Sequence, residues 1–245
     1  MFFFSLFMIY ILNINILNTE LTFLNKLIYS NKIFSYLFVC LCLLFIVNGC
    51  NFIDGFNGLL IIHSIIILSI LYFVNFHNSN IEQLKYFIFF LIIICISLLP
   101  YNFPKAKIFL GDGGAYFLGS LISLIVIETS NLNQNISPFF FASLLFYIFF
   151  EVFFSFFRKI FFNKSSPLKP DNEHLHMVFY RRIFFKIKNF EMANYLTGLL
   201  INIFYLFLII PLLFNYKNGI FCKLYFLFLV IVYLFSYLFF MLRKN

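Results

Sequence analysis

The chain is poor in charge. Of its 245 residues only 11% are Asp, Glu, Lys or Arg against 63% hydrophobic, and the mean hydropathy is +1.00. A soluble domain needs far more charge to cover its surface, so that class is excluded and a membrane-embedded chain remains. Acids are scarcer than bases, nine against 17, which leaves a net charge of +8. In a soluble protein this surplus would suggest nucleic acid; in a membrane protein it marks basic cytoplasmic loops, and no nucleic-acid partner is expected. Tryptophan is absent, while 43 phenylalanines accompany many Ile, Asn and Lys, a bias that reflects AT-rich coding as much as physical demand. The five cysteines, Cys40, Cys42, Cys50, Cys95 and Cys222, lie in or beside apolar runs without the spacing of a disulfide framework or a zinc site. The start Met1-Phe2-Phe3-Phe4 has neither a basic n-region nor a small-residue cleavage site, so it does not read as a removable signal peptide.

What is present is a series of apolar runs. They cover Met1 to Leu17, Phe34 to Val47, Leu59 to Phe76, Tyr86 to Leu99, Tyr116 to Ile127 with its flanks, Phe139 to Phe157, Tyr195 to Phe214 and Leu224 to Met241. The expected fold is all-α, a single polytopic membrane helix bundle over 1–245 with about eight transmembrane helices. The first run is marginal in length, and the polar stretch Asn18 to Lys32 after it reads as part of a broken first helix. Arg158, Lys159, Lys164, Lys169, Arg181, Arg182, Lys186 and Lys188 crowd a basic loop over 158–190, which the positive-inside bias makes cytoplasmic. Alternation then places Lys105, Lys107 and the tail Arg243-Lys244 on the same side, and Lys217, Lys223 and the tip His77-Asn78-Ser79-Asn80 outside.

One polar cluster interrupts the hydrocarbon, running from Asn48 to Leu59 as Asn-Gly-Cys-Asn-Phe-Ile-Asp-Gly-Phe-Asn-Gly-Leu. On a helix Asn48, Asn51 and Asp54 are each offset by about 60° from the last and share a face, and Gly55 and Gly58 then break the helix. A carboxylate and two amides next to hydrocarbon are costly unless they line a wet cavity or bind an ion. A preceding helix that ends here brings its negative pole, which favours a cation, and magnesium with its oxygen ligands fits. The alternative is a re-entrant turn whose side chains satisfy freed backbone groups.

Two further clusters fall on the same predicted side. In Pro104 to Ala115 a glycine-rich turn with Asp112 runs straight into an apolar span, where exposed N–H groups suit a phosphate and Asp112 can hold a bridging magnesium. Asp112 as a simple helix cap is the alternative. From Ser166 the chain reads Ser-Pro-Leu-Lys-Pro-Asp-Asn-Glu-His-Leu-His, then reaches Tyr180-Arg181-Arg182, and its two prolines predict a loop. His174 and His176 lack a third ligand at zinc spacing, so a solvated basic loop or a substrate-contacting loop remains. Glu151, inside an apolar run, wants a partner and reads as an interhelical polar contact.

These strings resemble the polyprenyl-phosphate N-acetylhexosamine-1-phosphate transferases. That family carries N-x-x-N-x-x-D-G-x-(D/N)-G-L, F-x-G-D-x-G-(S/A) and S-P-x-x-P-D-x-x-H-(I/L)-H-H in this order, and the likeness runs from about Phe34 onward. It implies an integral membrane enzyme of the bacterial inner membrane with a cytoplasmic site. The enzyme would transfer N-acetylhexosamine 1-phosphate from a UDP-N-acetylhexosamine to polyprenyl (undecaprenyl) phosphate with Mg2+, releasing UMP, in cell-envelope glycan synthesis. Carried over by motif, Asn51 and Asp112 bind the metal and Asp54 and Asp112 are catalytic. Asn48, Asn57, His174, His176, Arg181 and Arg182 bind substrate. Met177 departs from the pattern at the last His position, and Glu151 stands where the family usually has Asp.

The family's Asp-Asp pair, upstream of the first motif, has no counterpart, since Glu20 is the only acid before Asp54. The expectation is an N-terminally truncated chain, fragile and short of activity. An inactive homologue, a non-catalytic membrane subunit and a transporter are the competing readings, and a homodimer is left open. On the predicted orientation, a cysteine introduced beside His176 is expected to resist an impermeant thiol reagent applied to intact cells, and labelling there would reverse the topology.

Overall fold

A computed structural model describes residues 2–76, 81–161, 166 and 172–242. The predicted tip at 77–80, Lys164, Lys169, the third motif from Pro167 to Asp171 and the tail Arg243-Lys244 lie outside the described residues. Among those described there are α-helices and no strands. The helices are α1 (Phe2–Leu12), α2 (Thr22–Ser30), α3 (Lys32–Ile53), α4 (Leu59–Asn75), α5 (Glu82–Asn102), α6 (Gly111–Leu132), α7 (Pro138–Leu144), α8 (Phe146–Phe161), α9 (Leu175–Ile187), α10 (Phe190–Asn215) and α11 (Gly219–Leu242).

Local chemistry sets several starts. Asn31 accepts from Phe34 N–H at 3.1 Å to begin α3, and Asn189 accepts from Met192 N–H at 3.0 Å to begin α10. Ser137 caps α7, with Pro138 in the first helical position, where its missing N–H is no loss. Between Leu144 and Phe146 the path bends by 74°, making α7 and α8 a broken pair.

The polytopic helical fold is as expected. Among the described residues five helices, α3, α5, α6, α10 and α11, are long and apolar enough to cross a membrane, and α7 with α8 makes a sixth if the bent pair counts as one, against about eight expected. Helix α4 has 17 residues and α1 only 11. At about 1.5 Å per residue α1 reaches roughly half of a hydrocarbon core of about 30 Å. The polar stretch after it folds back onto α6 instead of continuing the span. Leu17 N–H donates to Asn131 Oδ1 at 3.1 Å, and Asn131 Nδ2 donates to Asn15 O at 2.7 Å. Within the predicted 158–190 loop, the part from Leu175 to Ile187 is helix α9.

The chain is an integral membrane protein. Phe89, Phe90, Ile93 and Ile94 on α5 and Leu227, Ile231, Phe235 and Leu238 on α11 are exposed, and apolar faces this wide belong against lipid.

Each end of the bundle has its own polar contacts. At one end Asn75 Nδ2 donates to Thr129 Oγ1 at 3.0 Å, Asn133 Nδ2 donates to Asn75 Oδ1 at 2.9 Å, and Lys223 pairs with Glu20 at 3.3 Å. The other end gathers the C-termini of α3, α5, α8 and α11 with the N-termini of α4, α6 and α10. Between the two, α3 lies against both α6 and α8. A Cβ on Gly49 of α3 would stand 2.2 Å from Ile148 O of α8, so only glycine permits this approach. Overpacking a core contact typically costs about 1–3 kcal/mol. Gly49→Ala is therefore expected to lower the melting temperature in detergent, followed by reaction of the mostly buried cysteines with a thiol dye; an unchanged melt would refute the close contact.

Candidate active site

Helix α3 carries Asn48 and Asn51 into its last turns and ends with Asp54 as C-cap. Asn48 spends its amide on its own helix, donating from Nδ2 to Leu44 O at 2.7 Å. Asn51 Nδ2 donates to the Tyr116 hydroxyl on α6 at 3.3 Å, which leaves its Oδ1 as an oxygen ligand for a cation. Asp54 is 7% exposed, and its Oδ2 accepts the Gly111 N–H at 2.8 Å. Asp54, not Asp112, thus caps α6. Asp112 follows in the exposed first turn of that helix.

The loop between α3 and α4 is held from three directions. Gly58, at φ +75°, starts α4 from the left-handed region and donates its N–H to Asn102 Oδ1 at 2.8 Å. Asn57 N–H donates to Asn194 Oδ1 of α10 at 2.7 Å, while Asn57 Nδ2 donates to Pro104 O at 2.8 Å. Asn57, predicted to bind substrate, therefore has its backbone and amide donors committed to pinning the loop. Burial pushes the Asp54 carboxyl up to about 6 and the charge of Asp112 adds to the rise, while the N–H groups of Gly111 and Leu110 oppose it.

The third motif meets this loop through aromatic rings. Phe52 and His174 lie 4.7 Å apart between centroids, and Phe56 and His176 5.2 Å apart. The two imidazoles stack at 5.4 Å with planes 3° apart. Both are buried against α8, whose Glu151 answers the question of its own partner. Glu151 Oε2 is 3.1 Å from His174 Nδ1, and Oε1 is 3.6 Å from His176 Nδ1. Arg158, further along α8, pairs with Glu173.

The predicted arginines bond within the fold. Arg182 Nε and Nη2 donate to Phe240 O at 3.0 and 2.9 Å, which closes the C-terminal end of α11. Arg181 is exposed and donates to Asn172 O at 3.0 Å.

The arrangement brings Asn51, Asp54, Asp112, His174 and His176 to one end of the bundle. The family model of glycosyl transferase family 4 matches residues 1–130, more than half of the chain and inclusive of the first two motifs. The chain belongs to glycosyl transferase family 4. The match begins at residue 1, well before the Phe34 at which the motif likeness starts.

Among relatives in this family, the undecaprenyl-phosphate alpha-N-acetylglucosaminyl 1-phosphate transferase of Thermotoga maritima is 30% identical over 171 residues, 68% of this chain and 52% of the relative. A phospho-N-acetylmuramoyl-pentapeptide-transferase of Fervidobacterium nodosum is 35% identical over 96 residues, 39% of this chain and 30% of the relative. A probable undecaprenyl-phosphate N-acetylglucosaminyl 1-phosphate transferase of Bacillus subtilis is 33% identical over 137 residues, 54% and 36% of the two chains. Matched segments thus span about half of the first relative's length and about a third of the others'.

Sequence reading passed over Tyr116, Asn102, Asn194 and Tyr147, which hold this family member's site together. Tyr147 alone left a trace, lying four residues before Glu151 and so on the same helical face. Because Asp54 is both a charge and a cap, its two roles separate by substitution. Asp54→Asn keeps an oxygen to accept the Gly111 N–H and is expected to melt close to wild type. Asp54→Ala is expected to lose about 1 kcal/mol, the usual worth of a cap. Equal melting of the two variants would remove the capping role.

Proposed function

We propose that the chain transfers N-acetylhexosamine 1-phosphate from a UDP-N-acetylhexosamine to polyprenyl phosphate at the cytoplasmic face of the bacterial inner membrane. One observation carries the reading: three chemistry-bearing motifs, far apart in sequence, meet at one end of a membrane helix bundle. Asp54 accepts from Gly111 N–H at 2.8 Å, and Phe56 lies 5.2 Å from His176. A site that joins a soluble nucleotide sugar to a lipid belongs at such an end, where polar groups border hydrocarbon. The Lys and Arg residues of the same end support its cytoplasmic orientation.

Magnesium fits the donor set. Asp112 raises the proton affinity of Asp54 through its charge, so two acids stand within electrostatic reach, and Asn51 Oδ1 adds a neutral oxygen. Among the described residues no group of three or more His, Cys, Asp or Glu could hold a metal alone, which suits an ion that substrate phosphates help to bind. Asn51 and Asp112 would hold it, with Asp54 close by. When bound, magnesium supplies charge neutralisation on the diphosphate.

The protein's own groups do the rest. With its proton affinity raised toward neutrality, Asp54 takes the proton of the lipid phosphate. That phosphate's oxygen attacks the β-phosphorus of the nucleotide sugar, the bond to the α-phosphate oxygen breaks, and UMP leaves. His174 and His176 orient the diphosphate by hydrogen bonds, and the N-terminal N–H groups of α6 favour its negative charge.

Release of UMP from UDP-N-acetylglucosamine, measured with undecaprenyl phosphate and magnesium, tests the reading. Asp112→Asn is expected to lower it on the order of a hundredfold or more, while the variant inserts and melts as wild type does. Unchanged turnover would take Asp112 out of the site, and no magnesium-dependent UMP release from the wild-type chain would sink the transferase reading.

A further inference from the structure

Helix α8 is a run of phenylalanines crossed by one polar stripe. Tyr147, Glu151, Ser155 and Arg158 recur at helical spacing and all are buried. Three of its four rungs meet the third motif. Arg158 pairs with Glu173, Glu151 with His174, and the Tyr147 hydroxyl lies 3.4 Å from His176 Nδ1. Glu151 is 1% exposed and faces the Nδ1 atom of both histidines. A carboxylate is an acceptor, so the His174 Nδ1 bonded to it at 3.1 Å carries a proton. The 3.6 Å approach of Oε1 to His176 Nδ1 is beyond hydrogen-bond length, and the carboxylate charge favours a proton there beside the Tyr147 hydroxyl. The nitrogen left over on His176, Nε2, is buried without a hydrogen-bond partner among the described residues, and a buried polar atom in that state is costly until something bonds it.

We propose that Glu151 is a positioning residue for the third motif, holding the Nδ1 protons of His174 and His176 so that Nε2 is the working nitrogen of each. The logic is that of any histidine whose second nitrogen is fixed by a carboxylate: orientation and tautomer are set before the ligand arrives, and an imidazolium formed at the other nitrogen is stabilised. The parallel rings, 3° from coplanar orientation, present the pair as one unit. Met177 occupies the next place but one after Leu175, so the loop depends on the two gripped imidazoles for its ring nitrogens. Glu151 acts through the histidines, and the ligand in question is the diphosphate of the proposed function, on which this role rests.

The test uses the whole chain in lipid nanodiscs with 15N-labelled histidine, assigned through His174→Gln and His176→Gln. In wild type, both neutral imidazoles are expected to show the Nδ1–H signature. Glu151→Gln is expected to shift both toward Nε2–H, and Glu151→Asp to keep the wild-type pattern. Turnover gives a second readout: Glu151→Gln lowers kcat for UMP release by roughly 10–100-fold with KM for UDP-N-acetylglucosamine changed less than about threefold, and Glu151→Asp restores part of it. Identical spectra for wild type and Glu151→Gln overturn the proposal. So does an Nε2–H signature at both sites in wild type, which needs no variant to fold. The Nδ1–H pattern in a chain that releases no UMP supports the positioning role and counts against the transferase reading alone.

Discussion

The carboxylate of Asp54 lies between two helix ends of opposite polarity. It closes α3, whose carbonyl end repels an anion, and it accepts an N–H from Gly111 at the start of α6, whose amide end attracts one. This bond ties the first motif to the second across the bundle, and the remaining contacts of the site assume it. Tyr116 reaches Asn51 because α6 starts where Asp54 holds it. Burial makes the same carboxylate harder to ionise, so one group serves as an architectural cap and as a carboxyl poised near neutrality.

Around that bond most of the polar groups find partners in the fold. Asn102, Asn194 and Pro104 fix the loop from 54 to 58, each supplying an acceptor to a donor that would otherwise be stranded. Glu151 and Arg158 seat the third motif from α8. Asn202 plays the equivalent part in the α4–α10 crossing, where its Nδ2 donates to Leu59 O at 3.1 Å and to Gly198 O at 3.0 Å. Its Oδ1 lies 3.0 Å from His63 Nδ1, so the proton between them is on the histidine. Beside hydrocarbon such groups persist only when paired, and the pairing rigidifies the end of the bundle that faces the nucleotide sugar in the proposed reaction.

Membrane class, the helical fold and the three motifs were legible in the sequence, because hydropathy, proline and glycine act locally. The stripe of Asn48, Asn51 and Asp54 was legible for the same reason. Span number was not. A run such as Met1 to Leu17 has the composition of a span, yet α1 stops at Leu12, and Asn15 and Leu17 bond to Asn131 instead. Whether an apolar run crosses depends on what it meets, and hydropathy does not record that.

Roles were harder still. A helix cap was the alternative reading of Asp112, but the carboxylate that caps α6 is Asp54, and the Asn57 amide holds Pro104, which no local pattern foretold. Arg182 had the charge for a phosphate and is bonded to the end of α11. By itself the sequence determined which polar residues interrupt the hydrocarbon and which ends of the apolar runs are basic, since both follow from local composition and the distribution of positive charge. Only the tertiary structure decided which of them share a site and which hold it together. Hydrogen bonds such as Asp54 to Gly111 and Glu151 to His174 join residues 57 and 23 positions apart, and a pairing at that separation is set by how the helices meet.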